Sequence, residues 1–188
     1  IKEGDGAFYG PKIDIDIADA LGRFHQLGTI QLDFQLPERF QLKFTNQNGE
    51  EERPVVIHRA LLGSLERFIG IYLEHVGGAF PFWLAPEQAV LVPVNNEVHL
   101  EFCNNLKKQF DSLGLRVKID DRNESMGYKT RQIQKTKIPY MLVIGDKEVE
   151  GNSVSIRSYG SRDSETLTID DLKMKFLELD KLKDPSLI

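Results

Sequence analysis

The side chains best placed to do chemistry in this sequence begin with His58 and Arg67, which stand on either side of Gly63-Ser64. If a helix starts at Ser64, Arg67 lies in its first turn. A helix N-terminus presents unpaired N–H groups and a partial positive charge. An arginine there adds a planar cation able to stack on a base or fork onto a phosphate. His58 is a candidate metal ligand, although zinc ordinarily takes three or four protein ligands. Upstream, Gln26, Thr29, Gln31 and Asp33 form a second polar group. Amides both donate and accept, so such a row can fix a small polar ligand by orientation. Tyr9 and Lys12 lie further upstream in a loop with two glycines and a proline. The plain alternatives are an arginine paired with an exposed carboxylate, a structural histidine and a solvated polar strand face.

These side chains depend on the elements that carry them. Residues 54–57 read as a buried strand, after which Gly63 breaks the extended pattern and Ser64 offers an N-cap. Leu65, Phe68, Ile69, Tyr72, Leu73 and Val76 then recur at three and four, as one face of a helix does. Residues 13–17 alternate isoleucine and aspartate, which predicts a strand with one apolar and one acidic face. Residues 26–34 alternate as well, with Leu27-Gly28 as the turn into that strand and with Thr29 and Gln31 on one face. Residues 44–52, polar and containing Asn48-Gly49, read as a hairpin tip or surface loop.

Two glycines, two prolines and several aromatics crowd residues 77–86, which places a domain joint at about residue 82, with the aromatics packing across it. Strands are then expected at 89–94, 115–119 and 140–144, with helices at 97–113 and 127–137 between them. Cys103 falls on the core face of the first helix. A turn at 145–147 should lead to an exposed strand at 154–158. Thr168 should cap a last helix over 169–179, followed by a frayed tail at 181–188. This alternation predicts a largely parallel sheet covered on both sides.

Composition narrows the classes. Two fifths of the 188 residues are hydrophobic, and no run approaches the roughly 18 apolar residues of a membrane span. The start, Ile1-Lys2-Glu3-Gly4-Asp5, has no signal-peptide character and looks like the middle of a longer chain. A single cysteine excludes an intramolecular disulfide and suits a reducing compartment, hence a cytoplasmic location. The net charge of −5 argues against a diffuse nucleic-acid binder. Residues 116–137 nevertheless hold seven Lys/Arg against three Asp/Glu. A candidate surface there combines Asp121-Arg122-Asn123, the helix bearing Lys129, Arg131, Lys135 and Lys137, and the segment Gly145-Asp146-Lys147-Glu148. Cations hold phosphates, while Asn and Glu can read base edges. A solvated charged face is the alternative.

Several runs carry a resemblance. Gly-Ser-Leu-Glu-Arg-Phe at 63–68, after a strand, resembles motif 3 of the class II aminoacyl-tRNA synthetases. With Ile57-His58-Arg59 before it, with Phe-Tyr-Gly-Pro-Lys at 8–12 and with Gln-Leu-Gly-Thr-Ile-Gln-Leu-Asp-Phe at 26–34, the match is to the threonyl-tRNA synthetase family. Residues 116–124 and 138–148 are similar to the anticodon-binding domain of the same family. The resemblance covers about residues 3–180. It implies an α+β then α/β fold: residues 1–82 as the C-terminal part of an antiparallel-sheet catalytic domain, and residues 83–188 as an α/β anticodon-binding domain.

It also implies roles. Tyr9 and Lys12 would border the threonine and the tRNA 3′ end. Gln26, Thr29 and Gln31 would line the aminoacyl-adenylate pocket, with Ser64 close by. His58 would be one ligand of a zinc ion, and Arg67 would stack on the adenine of ATP, which enters with Mg. Asn123, Glu148 and Arg157 would contact anticodon bases of tRNA(Thr). Ser125 stands where the family pattern suggests lysine, which leaves a backbone contact there without its cation. The zinc can reject valine, which lacks the hydroxyl that threonine offers it, where an apolar pocket discriminates only weakly. The other two zinc ligands and motifs 1 and 2 are not in this sequence, so the residues present are expected to be inactive by themselves. The parent is expected to be a homodimer. The rivals are a non-catalytic nucleic-acid-binding relative of the polymerase accessory subunit type and a sibling synthetase for proline, glycine or histidine.

Overall fold

The computed structural model describes residue 4 and residues 6–183. The chain divides into two compact units between Gly77 and Gly78. Of the expected tail, residues 184–188 lie outside the described residues, as do most of the first five.

In the first unit, strands β1 (Lys12–Ala18), β2 (Phe24–Asp33) and, later, a third strand form an antiparallel sheet. The β1–β2 turn is not at Leu27-Gly28. It lies at residues 19–23, where Asp19 Oδ1 accepts from the backbone N–H of Leu21 and of Arg23, both at 2.9 Å, and Gly22 supplies a φ of +75°. Leu27 and Gly28 are interior to β2, and Leu27 is buried. A short helix α1 (Gln35–Arg39) follows, then the hairpin β3 (Phe44–Thr45) and β4 (Glu51–Glu52) around Asn48-Gly49. β5 (Val56–Ala60) returns alongside β2, giving the order β1-β2-β5.

The strand expected to be buried at 54–57 is therefore an exposed edge. Ile57 is 63% exposed, because no described element covers that side of β5. Helix α2 (Leu65–His75) begins at Ser64, whose Oγ accepts from the Arg67 backbone N–H at 3.2 Å. Its apolar stripe is only partly covered: Phe68, Tyr72 and Val76 are half-buried, with Phe68 stacked on Tyr72, while Leu65, Ile69 and Leu73 are exposed, as are Ile13, Ile15 and Ile17 on β1.

The second unit is a sheet of β6 (Ala89–Pro93), β7 (Val117–Ile119), β8 (Tyr140–Ile144), β9 (Ser153–Ser158) and β10 (Glu165–Thr168), in the order β10-β9-β8-β6-β7. β6, β7 and β8 are parallel, joined through helices α3 (Asn96–Ser112) and α4 (Met126–Thr136). The pleat sends alternate residues to opposite faces. Ala89, Leu91, Leu142 and Ile144 pack with Cys103, Leu106 and Phe110 of α3 and with Leu172 and Phe176 of α6 (Ile169–Leu182). Val90, Val92 and Met141 pack with Ile133 of α4. Both faces are covered, as the alternation predicts, but the sheet is mixed rather than largely parallel. β6–β7 and β6–β8 are parallel, while β8–β9 and β9–β10 pair antiparallel because no crossover helix joins those strands. Phe82 packs within this unit, on Tyr140 and Phe176.

Two further expectations for this half are corrected. The turn at 145–147 is a short helix, α5 (Asp146–Glu150), whose Glu148 Oε2 accepts from the Gly145 N–H at 3.0 Å. The strand expected to be exposed is β9 (Ser153–Ser158), with Val154 and Ile156 in the core. It is interior to the sheet because β10 (Glu165–Thr168) pairs antiparallel with it. Thr168 caps α6, accepting from the Asp171 N–H at 3.2 Å, and α6 runs into the expected tail.

Candidate functional site

A β-bulge organises the polar face of the first sheet. Ile15 pairs with Gly28 but Asp16 pairs with Gln26, so Leu27 is the extra residue in β2. The extra residue inverts the alternation. Leu27 goes into the interior and Gln26 joins Thr29, Gln31 and Asp33 on one side. Gln26 Nε2 donates to Thr29 Oγ1 at 2.9 Å and to Asp14 Oδ1 at 2.5 Å, and the Thr29 hydroxyl donates to Asp14 Oδ1 at 2.8 Å. Lys12 Nζ lies 2.7 Å from the other Asp14 oxygen. The Lys12 ammonium above all, helped by Thr29 and Gln26 against the effect of burial, holds the Asp14 carboxyl below the usual carboxylate range. The acidic face of β1 is thus engaged with β2 rather than only solvated.

Further along the same face, Gln31 lies opposite His58 on β5. The Tyr9 hydroxyl donates to Gln31 Oε1 at 2.9 Å, and its ring meets the His58 ring edge-on at 6.2 Å. Gly10 makes this approach possible: a Cβ there would lie 2.2 Å from the Leu32 carbonyl oxygen. Tyr9, Gln31 and His58 line a cavity of about 320 Å³ with Phe8, Gln35 and Arg39. Asp33 forms part of its wall, almost fully buried, with Oδ2 2.8 Å from His58 Nε2. Burial raises the Asp33 pKa, but hydrogen bonds from the Leu36 N–H, His58 and the Gln35 N–H outweigh it and hold the carboxyl below its ordinary value.

Ser64 and Arg67 reach this face at its Gln26 end. Gly63 has a φ of +63°, and a Cβ there would lie 3.3 Å from the Leu27 carbonyl oxygen, so the start of α2 closes directly onto the bulge. Arg67 Nη1 donates to the Gln26 carbonyl at 3.5 Å. The structure therefore brings Tyr9, Lys12, Gln26, Thr29, Gln31 and His58 onto one sheet face and sets Ser64 and Arg67 at its rim. Sequence reasoning left out Asp14 and Arg39, and it placed Asp33 in the polar row without its link to His58. Only cross-strand register could have supplied those pairings.

The second unit gathers its candidates less tightly. Asn123 is exposed in the loop between β7 and α4. Glu148 is turned back onto Gly145. Arg157, on β9 opposite Met141, lines a separate cavity of about 320 Å³ with the start of α4, and its buried Nε has no hydrogen-bond partner among the described residues. Lys129 leaves the expected basic surface: it is 3% exposed, its Nζ donating to the Asp120 carbonyl at 3.0 Å. Arg122 is held on the Asp120 carboxylate at 2.7 and 2.8 Å. Arg131 and Lys135 remain exposed.

Comparison with known proteins bears on both units. A family model described as the tRNA synthetase class II core domain (G, H, P, S and T) matches residues 2–76, and one described as the anticodon binding domain matches residues 88–179. Threonine–tRNA ligase 2 of Bacillus subtilis is 52% identical over 178 residues, which are 95% of this chain and 28% of that protein. Threonine–tRNA ligase of Lacticaseibacillus paracasei is 57% identical, over 87% of this chain and 25% of its own length. The chain belongs to the threonyl-tRNA synthetase family.

The crystal structure of the RNA binding domain of the Cryptosporidium parvum threonyl-tRNA synthetase superposes with a TM-score of 0.87 at 44% identity, over 94% of this chain and 44% of that one. The chain spans about a quarter of the length of the curated family members it matches. No described helix is long and apolar enough to cross a membrane. An imidazole oriented by a buried carboxylate is the usual surrounding of a zinc-binding histidine. Among the described residues, however, no group of three or more His, Cys, Asp or Glu side chains gathers to hold a metal. His58 alone fits zinc only as one member of a larger ligand set.

Proposed function

We propose that the protein to which this chain belongs activates threonine with ATP and transfers it to tRNA(Thr), and that these residues hold one wall of its synthetic site. The observation carrying this reading is the shared face. Gln31 sits across from His58 and under Tyr9, while the Gln26–Thr29–Asp14–Lys12 network runs to Arg67 at a helix start. Such a face offers donors and acceptors to a small polar amino acid at one end and a guanidinium to a nucleotide at the other.

On this reading Tyr9 and Gln31 orient the amino acid, and Lys12 lies toward the tRNA 3′ end. Gln26, Thr29 and Ser64 border the adenylate. Arg67 stacks on adenine and neutralises phosphate charge, ATP arriving with its Mg. His58 would be one zinc ligand, completed by residues outside this sequence. Zinc, when bound, would supply a Lewis acid that recognises the amino and hydroxyl groups of threonine together. Asn123, Glu148 and Arg157 would contact anticodon bases. A single cysteine, Cys103, which precludes an intramolecular disulfide, suits a cytoplasmic protein, and the parent would act as a homodimer.

A non-catalytic nucleic-acid-binding relative would have no use for Gln26, Thr29, Gln31, His58, Ser64 and Arg67 together, all of which are present here. A proline, glycine or histidine synthetase is disfavoured by identity to threonine–tRNA ligases. Pyrophosphate exchange on the full-length parent tests the reading. Exchange should depend on threonine and be weak with valine, and it should be absent from the 188-residue chain alone. Exchange independent of threonine, or turnover by the chain alone, would overturn it.

A further inference from the structure

We propose that Asp33 is a positioning residue that fixes the tautomer of His58, placing the proton on Nε2 and leaving the Nδ1 lone pair for a proton donor or a cation in the cavity. The argument is one of acceptor and donor capacity. Asp33 Oδ1 already accepts from the backbone N–H of Gln35 and of Leu36, each at 3.0 Å. Those two donors cannot turn, because they belong to the first residues of α1. Oδ2 is left facing His58 Nε2 at 2.8 Å. A carboxylate only accepts, so Nε2 must donate. The neutral ring then has its lone pair on Nδ1, for which the described residues provide no hydrogen-bond partner.

The same geometry makes an unusual demand on an amide. In Asp33→Asn, the two backbone N–H groups still require an oxygen at the Oδ1 position. The amide must therefore point its NH₂ at His58 Nε2. Nε2 becomes the acceptor and the proton moves to Nδ1, so the tautomer inverts while shape and volume are kept.

Long-range ¹H–¹⁵N correlation spectra of the imidazoles in the 188-residue chain, without added metal, test this. His58→Gln identifies the His58 signals by their loss. The wild-type chain should show Nε2 as the protonated nitrogen and Nδ1 as the unprotonated one, and Asp33→Asn should exchange the two shifts. With the spectrum recorded at a pH where the ring is neutral, a wild-type ring protonated at Nδ1 overturns the proposal. So does an Asp33→Asn variant with a native amide spectrum that keeps its proton on Nε2. Should that variant fail to fold, the wild-type spectrum decides alone. The cavity is the one in the functional reading, but the tautomer is measured without substrate, so the two can fail separately.

Discussion

Replacing Gly10 by alanine should detach the Tyr9 loop from the sheet without unfolding either unit. An alanine Cβ at this position would lie 2.2 Å from the Leu32 carbonyl oxygen and 3.0 Å from its carbon, both backbone atoms that cannot turn aside. Ordinary contact begins at 3.4 Å. Loop and strand must therefore separate by on the order of 1 Å, enough to break hydrogen bonds that start near ideal length. Two backbone bonds lie at that spot: Leu32 N–H to Pro11 O at 3.0 Å and Phe34 N–H to Tyr9 O at 3.1 Å. The Tyr9–Gln31 bond depends on the same approach. At about 1 kcal/mol net for each of these, the local cost is about 2–3 kcal/mol. Since each 1.4 kcal/mol is tenfold, protection of the Leu32 and Phe34 amides from hydrogen exchange should fall by roughly 30- to 150-fold. Gly70→Ala is the control, because Gly70 lies in helix α2 of the same unit, has an ordinary helical φ and has nothing within 4 Å of its Cβ position. A folded Gly10→Ala chain in which both amides keep wild-type protection would refute the account of how Tyr9 is held.

Two further outcomes follow from the packing and the charges. Phe176→Ala, at the centre of the Phe82–Phe110–Tyr140 cluster, should cost the second unit about 3–5 kcal/mol in urea unfolding, and a loss below about 1 kcal/mol would contradict its role in the core. Asp19 is raised by burial but held well below the usual carboxylate range by hydrogen bonds from His25, the Arg23 backbone and side chain, and the Leu21 N–H. A depressed folded-state pKa means that its stabilisation of the 19–23 turn is complete above the ordinary carboxylate value and fades as pH falls below it. The Leu21 and Arg23 amide shifts should follow that acid transition, which Asp19→Asn should abolish.

The local pattern of residues was enough for much of the secondary structure. The helices α2, α3, α4 and α6 and the strands β1, β6 and β8 follow from periodicity, and Ser64 and Thr168 cap where a short hydroxyl side chain precedes a helical face. These features depend on neighbours three or four residues away, so they can be read in order along the chain. The polar row and the histidine were visible as residue types in the same way.

Tertiary pairing decided the rest. Whether Gln26 shares a face with Thr29 depends on one extra residue in β2, and that residue is defined only by its register against β1. Lys129 is indistinguishable by composition from its exposed neighbours until β7 and its following loop bring the Asp120 carbonyl over it. β9 is interior only because β10 returns beside it. Asp33 becomes the partner of His58 only when strands 25 residues apart are laid edge to edge. Sequence determines what each side chain can do; burial, register and charge pairing are properties of what stands opposite, and only the folded chain supplies that.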